Sequence, residues 1–184
     1  MLSTRADSPW ASEIEGLRQK SLYRVMPNVS GRPGRIVKIN GREALNFSSN
    51  NYLGLADHPR IIQGLINGTQ MYGAGATASR LIVGNGEAHR ELESFIAHWK
   101  GVEAAILFGS GYQANVGVLS CLMGRDDLII SDEFNHASII DGCRLSRSRV
   151  MVYPHLDLNR AEDCLRLGGF RRKLVVTESV FSMD

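Results

Sequence analysis

The chain has 184 residues, of which 43% are apolar and 22% charged, and its formal net charge is +2. This composition is typical of a globular protein of one domain or slightly more. Acidic and basic residues are mixed along the chain, and without a block of Lys or Arg the sequence does not indicate a nucleic-acid partner.

The amino-terminal segment 1–10 is polar, and no stretch reaches the ~18 apolar residues that a membrane-spanning helix needs. We therefore expect a cytoplasmic protein with no membrane partner. The cysteines are odd in number and lack the C-x-x-C spacing, so they are predicted to be reduced thiols. No Cys or His pair has ligand spacing, and no metal site is expected.

Residues 1–56 are predicted to form an arm or small subdomain of one helix and one β-hairpin. Ser8-Pro9 is a typical helix start, and the apolar residues that follow recur on one helical face. Asn40-Gly41 lies between two strand-like runs, 35–39 and 43–47, and predicts a type I′ turn because both turn positions favour positive φ.

From Asp57 onward the pattern alternates between helices and short apolar strands, as expected for an α/β domain over residues 57–184. Asp57, two residues before Pro59, predicts the cap of a helix that runs to about residue 72. The predicted elements that follow are helix 87–99, strand 104–108, helix 114–123, strand 128–130, helix 138–145, strand 150–153, helix 160–167 and strand 174–177. Such alternation is typical of a parallel sheet covered by helices on both faces.

Parallel sheets bind their ligands beyond the carboxyl ends of the strands. Three segments follow predicted strands and are therefore the candidate site: 109–112, 132–136 and 178–182.

The first of these segments, Gly109-Ser110-Gly111-Tyr112, is predicted to join a strand to a helix. Free backbone amides and the positive end of the helix dipole make such a turn an anion site, and glycine lets phosphate oxygens approach the backbone. Two other interpretations stay open. The turn could bind nothing, or it could be a G-x-G-x-x-A dinucleotide fingerprint with Asp132 or Glu133 on a ribose. That fingerprint usually lies in the first strand–helix unit of its domain, whereas here residues 57–99 come first.

Five motifs lie in a fixed order along residues 24–184. They are NFSSNNYLGL at 46–55, YGAG at 72–75 with the helix that follows, SGYQAN at 110–115, DEFNHAS at 132–138 and TESVFSMD at 177–184. In this order and spacing they resemble the α-oxoamine synthases, a family of enzymes that use pyridoxal phosphate (PLP) and have the aspartate aminotransferase-like fold.

The resemblance implies the first part of a three-layer α/β fold of PLP fold type I, truncated at its carboxyl end, in an enzyme that forms homodimers. It implies decarboxylative condensation of an amino acid with an acyl thioester. Gly111 and Tyr112 would meet the phosphate or the ring of PLP, and Ser182 would hydrogen-bond the cofactor. His136 would be the catalytic residue that stacks on the ring and helps to orient the substrate.

Two residues near the amino terminus would bind substrate by the same resemblance. Asn50 would contact the amino-acid carboxylate, although it could also be a turn residue. Arg24 would grip the far carboxylate of a dicarboxylic acyl chain, since a guanidinium binds carboxylate through two hydrogen bonds; otherwise it is a solvated surface arginine. Arg24 favours alanine with a pimeloyl thioester over glycine with an acetyl thioester.

The lysine that binds the cofactor and the aspartate beside the pyridine nitrogen lie, in that family, beyond Asp184. We therefore expect these 184 residues alone to be inactive and poorly soluble. Two hypotheses from other classes stay open: a nicotinamide-dependent oxidoreductase, and a non-catalytic fragment.

Overall fold

The computed structural model describes residues 9–181. These residues form two compact units, which divide between Thr77 and Ala78. The predicted division at residue 56 stays a prediction. Within the described part, no helix is both long enough and apolar enough to cross a membrane.

In its described residues the first unit contains two α-helices, a 3-10 helical turn at Leu55–Asp57 and a small antiparallel sheet with the strand order β1-β2-β3. Its elements are α1 (Ala11–Gln19), β1 (Val29–Ser30), β2 (Ile36–Ile39), β3 (Arg42–Leu45) and α2 (Pro59–Tyr72). Asn40 and Gly41 join β2 to β3 with φ of 50° and 82°. Both angles are positive, as a type I′ turn requires, and the predicted hairpin is confirmed.

The residues at which the two α-helices of this unit begin differ in part from the predicted ones. Ser8 lies outside the described residues, and α1 begins at Ala11. The cap predicted at Asp57 was wrong: His58 caps α2, its Nδ1 accepting the backbone N–H of Arg60 at 3.3 Å. The Asp57 carboxylate pairs instead with Arg32 at 3.3 Å.

From Gly111 onward the second unit alternates helices and strands as expected. Its elements are α3 (Glu87–Lys100), α4 (Gly111–Leu122), β4 (Leu128–Asp132), α5 (Ala137–Ser146), β5 (Arg149–Tyr153), α6 (Leu158–Arg166) and β6 (Lys173–Val176), preceded by a π-helical turn at Arg80–Gly84. The strands form a parallel sheet in the order β5-β4-β6. The parallel sheet is confirmed, and α4 begins three residues earlier than predicted.

The strand predicted over residues 104–108 is absent from the described chain. The backbone of Leu107 is bonded to side chains instead: its N–H donates to Glu93 Oε1 at 2.8 Å, and its carbonyl accepts from Arg80 Nη1 at 3.0 Å. Arg80 and Glu93 are themselves paired at 2.7 Å. Two hydrogen bonds lower the pKa of Glu93 to about 2. The bond from Arg80 has the larger effect, and the bond from the backbone of Leu107 comes second.

Strand β4 lies at the centre of the core, and all five of its residues are buried. Successive side chains of a strand point to opposite faces of its sheet. On one face Ile129 packs with α4 and α5 through Leu119, Met123, Ile139 and Cys143. On the other face Leu128 and Ile130 pack with Tyr153 and with Ala161 and Cys164 of α6. The sheet is therefore covered on both sides, as its apolar strands predict.

Asp127 ties the amino-terminal ends of β4 and β6 together. Its side chain is fully buried and accepts two hydrogen bonds from Arg171, at 3.0 and 2.7 Å, and one from the backbone N–H of Gly124 at 2.8 Å. The bonds from Arg171 lower the pKa of Asp127 to about 2, although burial acts in the opposite direction.

This pair makes the stability of the second unit pH-dependent. Because the folded pKa of Asp127 is about 2 and an unfolded Asp has a pKa of ~3.9, its contribution is complete above about pH 4. It is lost as the pH falls towards 2. We expect Asp127→Asn to lower the urea midpoint of unfolding at pH 7, and the deficit relative to the parent to shrink between pH 5 and pH 3.

Asp163→Asn, on the exposed side of α6, is the matched control and should leave the midpoint unchanged throughout. A deficit for Asp127→Asn that is equally large at pH 3 and pH 7 would contradict the ionic role of Asp127.

Candidate functional site

The loop after β4 is fastened to the carboxyl end of β6. Asn135, which is buried, donates from Nδ2 to the carbonyl of Val176 at 2.8 Å and to Ser131 Oγ at 2.9 Å. The backbone N–H of His136 donates to Glu178 Oε2 at 2.6 Å. Two of the three segments predicted to form the site therefore meet at this edge of the sheet.

The same loop is fastened to the end of β5 on its other side. Asp132 Oδ1 accepts the backbone N–H of Phe134 at 2.9 Å, and the Asp132 carboxylate lies 3.0 Å from Nδ1 of His155. The backbone N–H of His155 donates to Glu133 Oε1 at 2.7 Å. The His155 ring stacks on Phe134, with centroids 4.9 Å apart, and meets the edge of Phe181. These contacts fix the conformation of the loop that carries His136.

His136 occupies the junction between this loop and α5. Its Nδ1 accepts the backbone N–H of Ser138 at 3.1 Å and lies 2.7 Å from Ser138 Oγ, so that the ring caps the helix. The residue is exposed, and within residues 9–181 no hydrogen bond reaches its Nε2. The exposed ring is therefore accessible to a ligand on the side away from Ser138.

The amino terminus of α4 offers an anion site. Ser110 caps the helix by accepting the N–H of Gln113 at 3.2 Å. The amides of Gly111 and Tyr112 have no hydrogen-bond acceptor in the described part of the chain. A Cβ at Gly111 would meet no atom within 4 Å, so its α-carbon is not crowded by other parts of the described chain. Unpaired amides at the positive end of a twelve-residue helix are suited to bind phosphate.

Contacts between α4 and α5 join the anion site to His136. Asn115 Nδ2 donates to Ser138 Oγ at 2.9 Å, and the Tyr112 hydroxyl donates to Asp141 Oδ2 at 3.0 Å. The latter bond raises the pKa of Tyr112. Both helices can approach closely because Gly142 lacks a side chain: a Cβ there would lie 2.9 Å from the Asn115 carbonyl oxygen.

The predicted site residues thus fall into three groups. Gly111, Tyr112 and His136 belong to the second unit and are linked by the α4–α5 contacts. Arg24 and Asn50 are exposed residues of the first unit. Ser182 lies outside the described residues, and the prediction made for it is untested.

Sequence reasoning gave no individual role to Asn115, Ser138 or Glu178, although each lies inside a quoted motif. Sequence signals were available for two of them, Ser138 and Glu178. Ser138 is two residues from His136 at a helix start, where side chains bond to nearby backbone and to each other. Glu178 follows a strand of the same parallel sheet as His136, and strand ends of such a sheet meet at one edge.

The described residues fit PLP in two respects. The amides at the start of α4 suit its phosphate, and the accessible imidazole of His136 offers a flat surface to an aromatic ring.

Comparison with known proteins assigns the family. The model of the family described as aminotransferase class I and II matches residues 42–184. The chain belongs to this family. Among curated members, it is 49% identical over 175 residues to an 8-amino-7-oxononanoate synthase of Geobacter sulfurreducens, covering 95% of the chain and 45% of that protein. The chain therefore spans less than half the length of this relative.

Solved structures of similar proteins confirm the expected α/β class and the PLP-enzyme fold. The chain matches serine palmitoyltransferase of Sphingomonas wittichii with a TM-score of 0.82 and 33% identity, covering 96% of the chain and 45% of that structure. It matches 8-amino-7-oxononanoate synthase from Francisella tularensis with a TM-score of 0.62 and 31% identity, over 74% and 37%. A further match, at a TM-score of 0.83 and 31% identity over 94% and 46%, is a serine palmitoyltransferase with PLP.

The bond between Glu178 and the backbone of His136 predicts local protection from exchange. Hydrogen bonds to charged groups contribute about 1.5–3 kcal/mol, and less when partly exposed. We expect Glu178→Ala to speed amide hydrogen exchange at His136 roughly three- to ten-fold, measured by mass spectrometry on overlapping peptides. Glu178→Gln, which keeps an acceptor, should have a smaller effect.

Glu103→Ala removes an exposed glutamate of the same unit and serves as control. Unchanged exchange at His136 in Glu178→Ala, or the same increase in Glu103→Ala, would rule out the bond as the anchor of the loop.

Proposed function

We propose that this chain is part of a PLP-dependent enzyme that condenses alanine with a pimeloyl thioester and releases carbon dioxide, giving 8-amino-7-oxononanoate in biotin biosynthesis. The proposal is supported by 49% identity to proteins named 8-amino-7-oxononanoate synthase, which extends over almost the whole chain. The activity belongs to the complete enzyme, of which these residues contribute one part of the site.

One observation carries the proposal: unpaired amides at the start of α4 are connected, through Asn115 and Ser138, to the ring of His136. In the proposed site the amides of Gly111 and Tyr112 bind the phosphate of PLP. His136 lies against the pyridine ring and limits its movement. Ser182 hydrogen-bonds the cofactor.

PLP, when bound, supplies electron withdrawal from the α-carbon of an amino acid, which permits bond formation to an acyl carbonyl. The residues of this chain provide binding and orientation. The loop that carries His136 is anchored to β5 and β6, so the ring can be held against a cofactor face with little freedom to move.

Two residues are proposed for the substrates. Asn50 binds the amino-acid carboxylate, and Arg24 binds the distal carboxylate of the pimeloyl chain. Glycine C-acetyltransferase is the alternative within the same chemistry, with glycine and an acetyl thioester as substrates. Arg24 favours the pimeloyl reaction, because an acetyl group has no distal carboxylate for a guanidinium to bind.

The nicotinamide alternative needs Asp132 or Glu133 to bind a ribose, and the hydrogen bonds of these carboxylates disfavour it. Asp132 is buried and already bonded to Phe134 and His155, and Glu133 accepts the backbone N–H of His155. The Asp132 carboxylate is therefore already engaged within the protein, and Glu133 is held through one of its two oxygens. We also propose that the complete enzyme is a cytoplasmic homodimer, as the resemblance to the α-oxoamine synthases implies.

A hybrid enzyme tests the function directly. The chain is joined to the carboxyl-terminal part of the Geobacter sulfurreducens relative, and the hybrid is assayed for the visible absorbance of bound PLP and for product from alanine and pimeloyl-CoA. We expect both, and Gly111→Val should weaken PLP binding by blocking access to the amides. A folded hybrid that bound no PLP would overturn the proposal, and one that bound PLP without product from any acyl thioester would support the non-catalytic alternative.

Arg24 is tested in the same hybrid. Removing a charged hydrogen-bond partner costs about 1.5–3 kcal/mol, so Arg24→Ala should raise the KM for pimeloyl-CoA roughly ten-fold or more, with a smaller change in kcat. The KM for an acyl-CoA without a distal carboxylate should stay the same.

Arg60→Ala, another exposed arginine of the first unit, is the matched control and should leave both constants unchanged. If Arg24→Ala also left the KM for pimeloyl-CoA unchanged, Arg24 would not be part of the substrate site.

A further inference from the structure

Both hydrogen-bonding groups of Ser138 face one nitrogen of His136. The backbone N–H of Ser138 lies 3.1 Å from Nδ1, and Ser138 Oγ lies 2.7 Å from it. A backbone N–H can only donate, so Nδ1 must accept in this arrangement. The nitrogen is therefore unprotonated while the cap of α5 is intact.

A third residue also bonds to the hydroxyl oxygen of Ser138. Asn115 Nδ2, an amide donor on α4, lies 2.9 Å from Ser138 Oγ. Because Asn115 donates to this oxygen, the single hydrogen of the hydroxyl is free to point at His136. Ser138 is only 1% exposed, and water does not compete for these bonds.

We propose that Ser138 and Asn115 are positioning residues that keep neutral His136 in the tautomer with hydrogen on Nε2. Two donors converge on Nδ1, so the hydrogen of the neutral ring resides on the outward nitrogen. His136, which is exposed, then presents an N–H donor at the nitrogen that Ser138 does not contact. In the neutral state its outward nitrogen is a hydrogen-bond donor and not a proton acceptor.

The consequence for ligands rests on the proposed function, whereas the tautomer itself does not. If PLP and the substrates lie beside Nε2, this N–H group can orient a carbonyl or carboxylate oxygen of the substrate. Asn115 lies on α4 and bonds to Ser138, so it also ties the His136 ring to α4. The first amides of α4 are the proposed phosphate site.

His58 provides an internal comparison within the same chain. It also caps a helix, with Nδ1 accepting the backbone N–H of Arg60, but this bond is 3.3 Å long and exposed, and no hydroxyl bond to this nitrogen is found among the described residues. We expect His58 to populate both neutral tautomers more evenly than His136.

Nuclear magnetic resonance of a protein that carries the full chain, with histidine ring nitrogens isotope-labelled and no cofactor added, tests the proposal. Two-bond proton–nitrogen correlations should identify Nδ1 of His136 as unprotonated and Nε2 as protonated. Ser138→Ala should shift the tautomer ratio towards Nδ1–H by roughly three- to ten-fold, the effect of one lost hydrogen bond. Ser138→Thr, which keeps the hydroxyl, should restore the ratio.

Asn115→Ala is the second variant and should shift the ratio in the same direction by less. Ser120→Ala, whose hydroxyl bonds only to carbonyls of its own helix, is the control and should change nothing. A parent protein with hydrogen on Nδ1, or Ser138→Ala and Asn115→Ala variants that both keep the parent ratio, would overturn the proposal. Because no PLP is needed, these outcomes are independent of whether the proposed enzymatic function is correct.

Discussion

The candidate site depends on the anchoring of one short loop to the strands on both sides of it. The loop leaves β4, the central strand of the parallel sheet, and is hydrogen-bonded to the end of β6 by Asn135 and to the end of β5 through Asp132 and Glu133. A loop held at one side only could rotate about that attachment. With both neighbours engaged, the backbone at His136 is fixed, and its ring can be directed by the first turn of α5.

The second constraint is the close packing of α4 and α5. Gly142 lets the backbone of α5 approach the carbonyl of Asn115, and any larger residue would need the helices to separate. At this distance the Asn115 amide reaches Ser138, and the Tyr112 hydroxyl reaches Asp141. These contacts fix the position of α4, which begins with the free amides of Gly111 and Tyr112, relative to α5, which begins after His136.

The two edges of this sheet carry different sets of polar contacts. At the amino-terminal edge the buried Asp127 pairs with the exposed Arg171, and this ion pair joins β4 to β6. At the carboxyl edge Asn135 bonds to the end of β6, and Asp132 and Glu133 bond to His155 after β5. Membership in the class I and II aminotransferase family agrees with a candidate site at the carboxyl edge, since parallel α/β sheets bind ligands at the carboxyl ends of their strands.

The sequence by itself determined the features that depend on neighbouring residues. Asn40-Gly41 specified the hairpin because both positions tolerate positive φ, and apolar runs such as 128–130 specified buried strands of a parallel sheet. The motifs also indicated Gly111, Tyr112 and His136 as candidates. Local preference failed where a distant partner competed: Asp57 pairs with Arg32 and does not cap α2, and Leu107 bonds to Glu93 and Arg80 and does not join a strand.

Only the tertiary structure decided which distant side chains bond to the turn that carries His136. Asn115 is 23 residues from Ser138, and Glu178 is 42 residues from His136. Their contacts follow from the crossing of α4 with α5 and from the strand order β5-β4-β6, neither of which is encoded in a local pattern. Local sequence fixes backbone preferences and periodicity, whereas contacts between segments so far apart are fixed by how the buried faces pack.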